Sequence, residues 1–203
     1  MRRSLTPEAI EQVLEPFDQH FPLLPGRPAA VLVLLFPGSS GPELVLTVRQ
    51  PHLNRHAGQV SLPGGSQEPA DADLWETATR ETGEELGVDP SAIQPLGRLD
   101  VEAVRATGFA IAPFVGWLPA PPDLAPDLAE VAQALTVPLC AVCDGRNVAD
   151  EAWTLRGAPY SVVVYHFDGV VVWGATARIL SRFAERLGYP LQPPPGLVRP
   201  LAQ

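Results

Sequence analysis

At 203 residues, 46% of them hydrophobic and 18% charged, the chain holds apolar material for one sizeable core and excludes both a disordered protein and two comfortable domains. Its 23 acids outweigh 14 bases, every base an arginine, and the formal net charge of -9 excludes a general electrostatic grip on DNA, RNA or an anionic bilayer. Met1 to Glu15 shows no charged-then-apolar leader, and the longest apolar run, Ala29 to Phe36, is far too short to span a bilayer, so a soluble, cytoplasmic protein is expected.

Thr6 followed by Pro7 and Glu8 predicts an N-cap with proline at the first helical position, opening a short helix that Pro16 should stop, within an N-terminal arm over 1–26. Arg27 to Phe36 is a β-branched and leucine run, closed by Pro37-Gly-Ser-Ser-Gly-Pro42 and answered by Glu43 to Arg49. Two strands with a loop between them are predicted. A helix is expected from Asp71 or Asp73 to Leu86, with Gly87 as a left-handed C-cap. Gly97 to Val104 and Phe109 to Leu118 are predicted strands, the second interrupted by Pro113, before Pro119-Ala-Pro-Pro122 breaks the chain.

Leu128 to Leu135 has the spacing of a short helix, and Ser161 to Phe167 with Val170 to Trp173 that of a hairpin about Asp168-Gly169. Thr176 to Leu187 is an amphipathic helix closed by Gly188, and a Pro-rich tail fills 189–203, which leaves 27–188 as the folded domain. The order of strands, helix, strands and helix implies an α+β or sandwich layout. Cys140 and Cys143 make one CxxC pair with no second pair and no histidine nearby, so they are expected as buried packing residues, not a zinc site.

The densest chemistry lies in Leu62-Pro-Gly-Gly-Ser-Gln-Glu68 and the helix after it. At about 100° per residue, Glu81, Glu84 and Glu85 fall in one arc of roughly 100°, while Trp75, Ala78, Thr82 and Leu86 fill the neighbouring arc that can face a core. Like charges at these spacings repel. A hard divalent cation compensates them, and oxygen-only ligands select Mg2+ or Mn2+, ions that usually bridge carboxylates to substrate phosphates. The plain alternative is a solvated acidic face; the Pro-Gly-Gly loop and Arg80, whose planar fork can pin neighbouring carboxylates, favour a site.

Gly65 through Val88 resembles a Nudix box, G-x5-E-x7-R-E-U-x-E-E-x-G-U with U aliphatic. Arg80-Glu81-Thr82-Gly83-Glu84-Glu85-Leu86-Gly87-Val88 matches, with Thr82 in place of the aliphatic residue. Fourteen residues separate Gly65 from Arg80 where the pattern has thirteen, and Asp71 stands where its first glutamate belongs. The resemblance implies a Nudix-type α/β/α sandwich with a mixed central sheet. It also implies Glu81, Glu84, Glu85 and the Gly64 carbonyl as metal ligands, Glu81 and Glu84 as catalytic acids, and Arg80 as their organiser. The reaction implied is hydrolysis of a nucleoside diphosphate linked to another group, assisted by Mg2+ or Mn2+.

Upstream, Val45-Leu-Thr-Val-Arg49-Gln-Pro-His-Leu-Asn-Arg55-His-Ala-Gly58-Gln-Val-Ser-Leu-Pro-Gly-Gly65 is similar to the coenzyme A pyrophosphatase signature, L-L-T-x-R-[SA]-x3-R-x3-G-x3-F-P-G-G. Val45, Gln50, Leu62 and the placement of Arg55 one step late depart from it. Segments at Gly108–Gly116, Glu130-Val131 with Val137-Pro-Leu139, and Trp173–Arg178 also look like that subfamily. The resemblance implies cleavage of coenzyme A, its oxidised form or its thioesters into 3',5'-ADP and (acyl)phosphopantetheine. Arg49 and Arg55 are then expected to bind substrate and Glu130 to be a distal acid. The partner expected is a small nucleotide, with no nucleic acid or membrane, for a monomer or homodimer. The alternatives are hydrolysis of NADH, ADP-ribose or a dinucleoside polyphosphate, and a non-catalytic nucleotide sensor.

Overall fold

The computed structural model describes residues 5–17, 25–52, 58–104, 106–155, 157–167, 169–189 and 199–200. In chain order these form helix α1 (Pro7–Glu11), strands β1 (Arg27–Gly38), β2 (Gly41–Arg49), β3 (Val60–Ser61) and β4 (Gly64–Ser66), and helix α2 (Leu74–Leu86). Strands β5 (Gln94–Arg98), β6 (Glu102–Val104), β7 (Phe109–Trp117) and β8 (Val131–Pro138) follow, then helix α3 (Leu139–Val142). The remainder is β9 (Val148–Leu155), β10 (Ala158–Phe167), β11 (Val170–Val172), α4 (Gly174–Arg186) and β12 (Arg199–Pro200).

Strand β1 is apolar at nearly every position because both of its faces are covered. Ala30, Leu32, Leu34 and Phe36 pack with Ala78 and Leu86 of α2 in one core cluster. The alternate residues Val33 and Leu35 join Leu44 and Leu46 of β2, Tyr165 of β10 and Ile179, Leu180 and Phe183 of α4 in the other. Each fully buried leucine contributes about 1.5–3 kcal/mol of burial energy, so this strand anchors two cores at once.

The main sheet has the order β3-β2-β1-β7-β5, with β4 on β1, β6 on β7 and β8 on β2. It is mixed, since β1 runs parallel to β7 and antiparallel to β2 and β4. Helix α2 covers one face. Helices α3 and α4 and a small antiparallel sheet (β11-β10-β12, with β9 on β10) cover the other, giving the expected α+β layered sandwich around a mixed central sheet. Ile10 of α1 is fully buried in the second cluster, beside Leu14. No helix among the described residues is long and apolar enough to cross a membrane.

Four local expectations change. The β1–β2 connection is a tight hairpin with Gly38 opposite Gly41, not a six-residue loop. Pro113 does not interrupt β7: its missing N–H falls in the gap between β5 and β6, where Arg98 pairs with Phe114 and Glu102 with Ile111, and its carbonyl accepts from Leu99 at 2.9 Å. Leu128 to Leu135, expected as a helix, is a turn followed by β8, which supplies backbone partners along the open edge of β2 from Glu43 to Arg49. Cys140 is exposed and Cys143 half-buried, and both are free thiols. Asp168 and nearly all of the 189–203 tail lie outside the described residues.

Candidate active site

Helix α2 carries the acidic cluster, and its ends are set by local chemistry. Asp73 caps its start, accepting from the Glu76 N–H at 2.8 Å, while Glu76 reaches back to the Ala72 N–H at 2.6 Å. Gly87, at φ 71°, closes it in the left-handed conformation that glycine adopts without strain. Thr82, standing at an aliphatic position of the box, is fully buried and satisfies its hydroxyl by donating to the Ala78 carbonyl at 2.7 Å.

On the outer side of the cluster, Arg80 forks onto Asp71, with Nε 2.8 Å from one oxygen and Nη2 3.1 Å from the other. It also donates to Glu84 at 2.8 Å and Glu81 at 3.1 Å. The Thr77 hydroxyl and the Glu68 N–H, each at 2.9 Å, complete the Asp71 carboxylate. The Arg80 guanidinium therefore holds that carboxyl well below the usual range, and Asp71 in return raises Arg80. The one-residue shift in the box is absorbed here: Asp71, nine residues before Arg80, is the arginine's principal partner.

On the inner side lies Glu85, only 4% exposed, which accepts from the Gly64 N–H at 3.3 Å. Arg49, the last residue of β2, stands 3.6 Å from Glu85 and 3.8 Å from Glu130. Burial pushes the Glu85 carboxyl up to about 7; the Gly64 N–H and Arg49 oppose this, and Glu81 and Glu130 add to it. Burial raises Glu81 as well, against Arg80, with Glu84 and Glu130 reinforcing the shift. A Cβ on Gly65 would run into the Glu81 carboxylate, so the glycine is what lets that side chain lie against the loop.

The structure thus brings Glu81, Glu85, Glu130, Arg49 and the Gly64 backbone to one place. Glu84 is turned outward, with its side chain 62% exposed against Arg80. Arg55 lies outside the described residues. No group of three or more His, Cys, Asp or Glu among the described residues is drawn together as a finished metal cage. The donor set fits a hard divalent ion all the same: it is oxygen-only and partly buried, and burial first, with the neighbouring carboxylates adding to it, disfavours the charged forms that a cation would stabilise. Sequence reasoning left the role of Asp71 open and missed Thr77. The box's one-residue slip was the only signal for the first.

This mixed sheet, with a carboxylate-bearing helix on one face behind a Pro-Gly-Gly loop, defines a Nudix fold. Residues 26–115 match the NUDIX domain family. The chain is 36% identical over 179 residues to the uncharacterized Nudix hydrolase NudL of Salmonella paratyphi B, covering 87% of this chain and 91% of that one. To the uncharacterized Nudix hydrolase NudL of Yersinia enterocolitica it is 34% identical over 149 residues, 72% of this chain and 74% of the other. Among solved structures, a Nudix hydrolase from M. smegmatis, RenU, superposes with a TM-score of 0.49 at 21% identity, over 60% of this chain and 76% of that chain. The chain belongs to the Nudix family, hydrolases of pyrophosphate bonds in nucleotide substrates that generally use divalent ions such as Mg2+ or Mn2+.

Proposed function

We propose that this Nudix hydrolase cleaves the pyrophosphate of coenzyme A, its oxidised form or its thioesters, giving 3',5'-ADP and (acyl)phosphopantetheine, with residues 27–188 as the catalytic domain between flanks 1–26 and 189–203. The observation that carries the reading is the position of Arg49. It belongs to the segment resembling the coenzyme A signature, and its guanidinium stands at the carboxylate cluster, beyond hydrogen-bond reach of either acid, with donors to offer a phosphate.

Glu81, Glu85 and the Gly64 carbonyl would hold Mg2+ or Mn2+, with Glu84 joining them by turning in from Arg80; the ion when bound supplies the positive charge that an acidic protein needs to receive a polyanion and that eases the ionisation of water. Arg80, fixed by Asp71, keeps Glu81 and Glu84 in place. Arg49 and Arg55 would grip phosphate oxygens. Glu130, with its side chain 54% exposed beside Arg49, would take the proton of the attacking water as the bridging P–O bond breaks.

The test is product analysis with Mg2+ or Mn2+ on coenzyme A, its disulfide and an acyl-CoA, beside NADH and ADP-ribose. The reading expects 3',5'-ADP from the first three at the highest kcat/KM. A preference for NADH or ADP-ribose would overturn the substrate assignment, and no turnover on any of the five would favour a sensor.

A further inference from the structure

We infer that Gln50 is a positioning residue that sets Glu130 in the site, an inference resting on the role just proposed for Glu130. Gln50 follows directly on Arg49, and it grips the 127–130 turn twice. Its backbone N–H donates to the Glu130 carbonyl and its side-chain amide to the Leu128 carbonyl, each at 2.8 Å, the latter across 78 residues of sequence. The turn is closed by Asp127, whose carbonyl accepts from Glu130 at 3.0 Å and Val131 at 2.8 Å and whose side chain accepts from the Ala129 N–H at 2.9 Å.

The same turn is tied to the end of α2, where Asp127 donates to the Glu85 carbonyl at 3.0 Å and Ala125 to the Leu86 carbonyl at 2.8 Å. The β2–β8 ladder also slips by one residue between Val48 and Arg49, the kind of bulge that re-aims a side chain. Three polar groups from three elements, Arg49, Glu85 and Glu130, are therefore referenced to one another through backbone carbonyls held by Gln50 and Asp127.

Apolar packing anchors only the far end of the turn, at Val131, 1% exposed, while Leu128 is 70% exposed and leaves the 127–130 segment to its hydrogen bonds. A serine or alanine at position 50, as in the signature this segment resembles, would offer the turn the backbone donor without the amide. The amide is a second grip on the turn beyond the backbone one.

A double-mutant cycle tests it, on whichever nucleotide the wild type cleaves, so that a wrong substrate assignment leaves the test intact. Gln50→Ala should lower kcat by roughly ten- to a hundredfold with little change in KM. Glu130→Gln should lower it by about 10²–10⁴-fold. The double variant should be no slower than Glu130→Gln alone, because a residue acting through Glu130 has nothing left to position. Gln50→Met, which keeps the length and removes the donor without adding charge, should match Gln50→Ala and serves if the alanine variant folds poorly. A Gln50 variant at wild-type kcat, or losses that multiply in the double variant, would overturn the inference while leaving Glu130 in its role. Wild-type turnover in Glu130→Gln would overturn both.

Discussion

Two arginines flank the acidic cluster, and they are held in opposite ways. Arg80 has its fork filled by Asp71 at 2.8 and 3.1 Å, with Glu84 and Glu81 taking further donors. Arg49 stands 3.6 and 3.8 Å from its two acids, close enough to feel their charge and too far for a hydrogen bond. The first geometry commits the cation to the protein itself. The second leaves donors uncommitted, so that of two arginines at one cluster one serves structure and the other, on the reading proposed above, is kept for a phosphate.

That contrast can be broken most sharply at its centre. Glu85→Gln should cost about 10²–10⁴-fold in turnover, with a melting temperature unchanged or raised, since a buried amide need not carry charge; a collapse of the fold instead would make Glu85 structural. Next comes Asp71→Ala, which strips Arg80 of its bidentate partner and should cost about 3 kcal/mol in denaturant unfolding. Arg49→Ala should do the reverse, raising KM about tenfold, roughly 1.4 kcal/mol of binding, while shifting stability by less than about 1 kcal/mol. If Arg49→Ala melted the protein and Asp71→Ala did not, the two arginines would have to exchange roles.

The part of this arrangement that lies within one helix was legible in the sequence, because caps and 3.6-residue periodicity are local: Asp73, Gly87 and the buried arc of Ala78, Thr82 and Leu86 stand where the spacing put them. What failed was set by distant partners. Leu128, Val131 and Leu135 satisfy a helical template, yet the open edge of β2 claims the segment as a strand. Asp71 showed only as a register slip until Arg80 was seen to reach it. Gln50 was visible as a departure from a signature, but its purpose lies in a carbonyl 78 residues away. No periodicity encodes such a contact. Cys140, expected as apolar filler, lies on the outer face of a single helical turn whose inner residues, Leu139 and Val142, are the ones the core buries.

The shallowest expected effect is the dependence of stability on pH in metal-free protein, and it separates the two sides of the cluster by sign. For Glu85 the folded value of about 7 lies above the ordinary 4.5, so between them the folded chain keeps a proton that the unfolded chain has released. Its contribution to stability is therefore fully present below about 4.5 and is lost as pH rises to about 7. For Asp71 the folded value lies below the ordinary 3.8, so the unfolded chain takes up the proton first, and stability falls as pH drops through that value and beyond. Denaturant unfolding across pH should thus show a dome whose descending limb shrinks in Glu85→Gln, with the raised Glu81 carboxyl keeping the remainder, and whose ascending limb weakens in Asp71→Asn. Mg2+ or Mn2+, binding the folded carboxylates in preference to the unfolded chain, should lift the wild type near neutral pH and chelation should undo it, with Glu85→Gln responding to neither. A descending limb undiminished in Glu85→Gln would place the destabilising charge wholly on Glu81, beside Arg80, and blur the division between the two arginines.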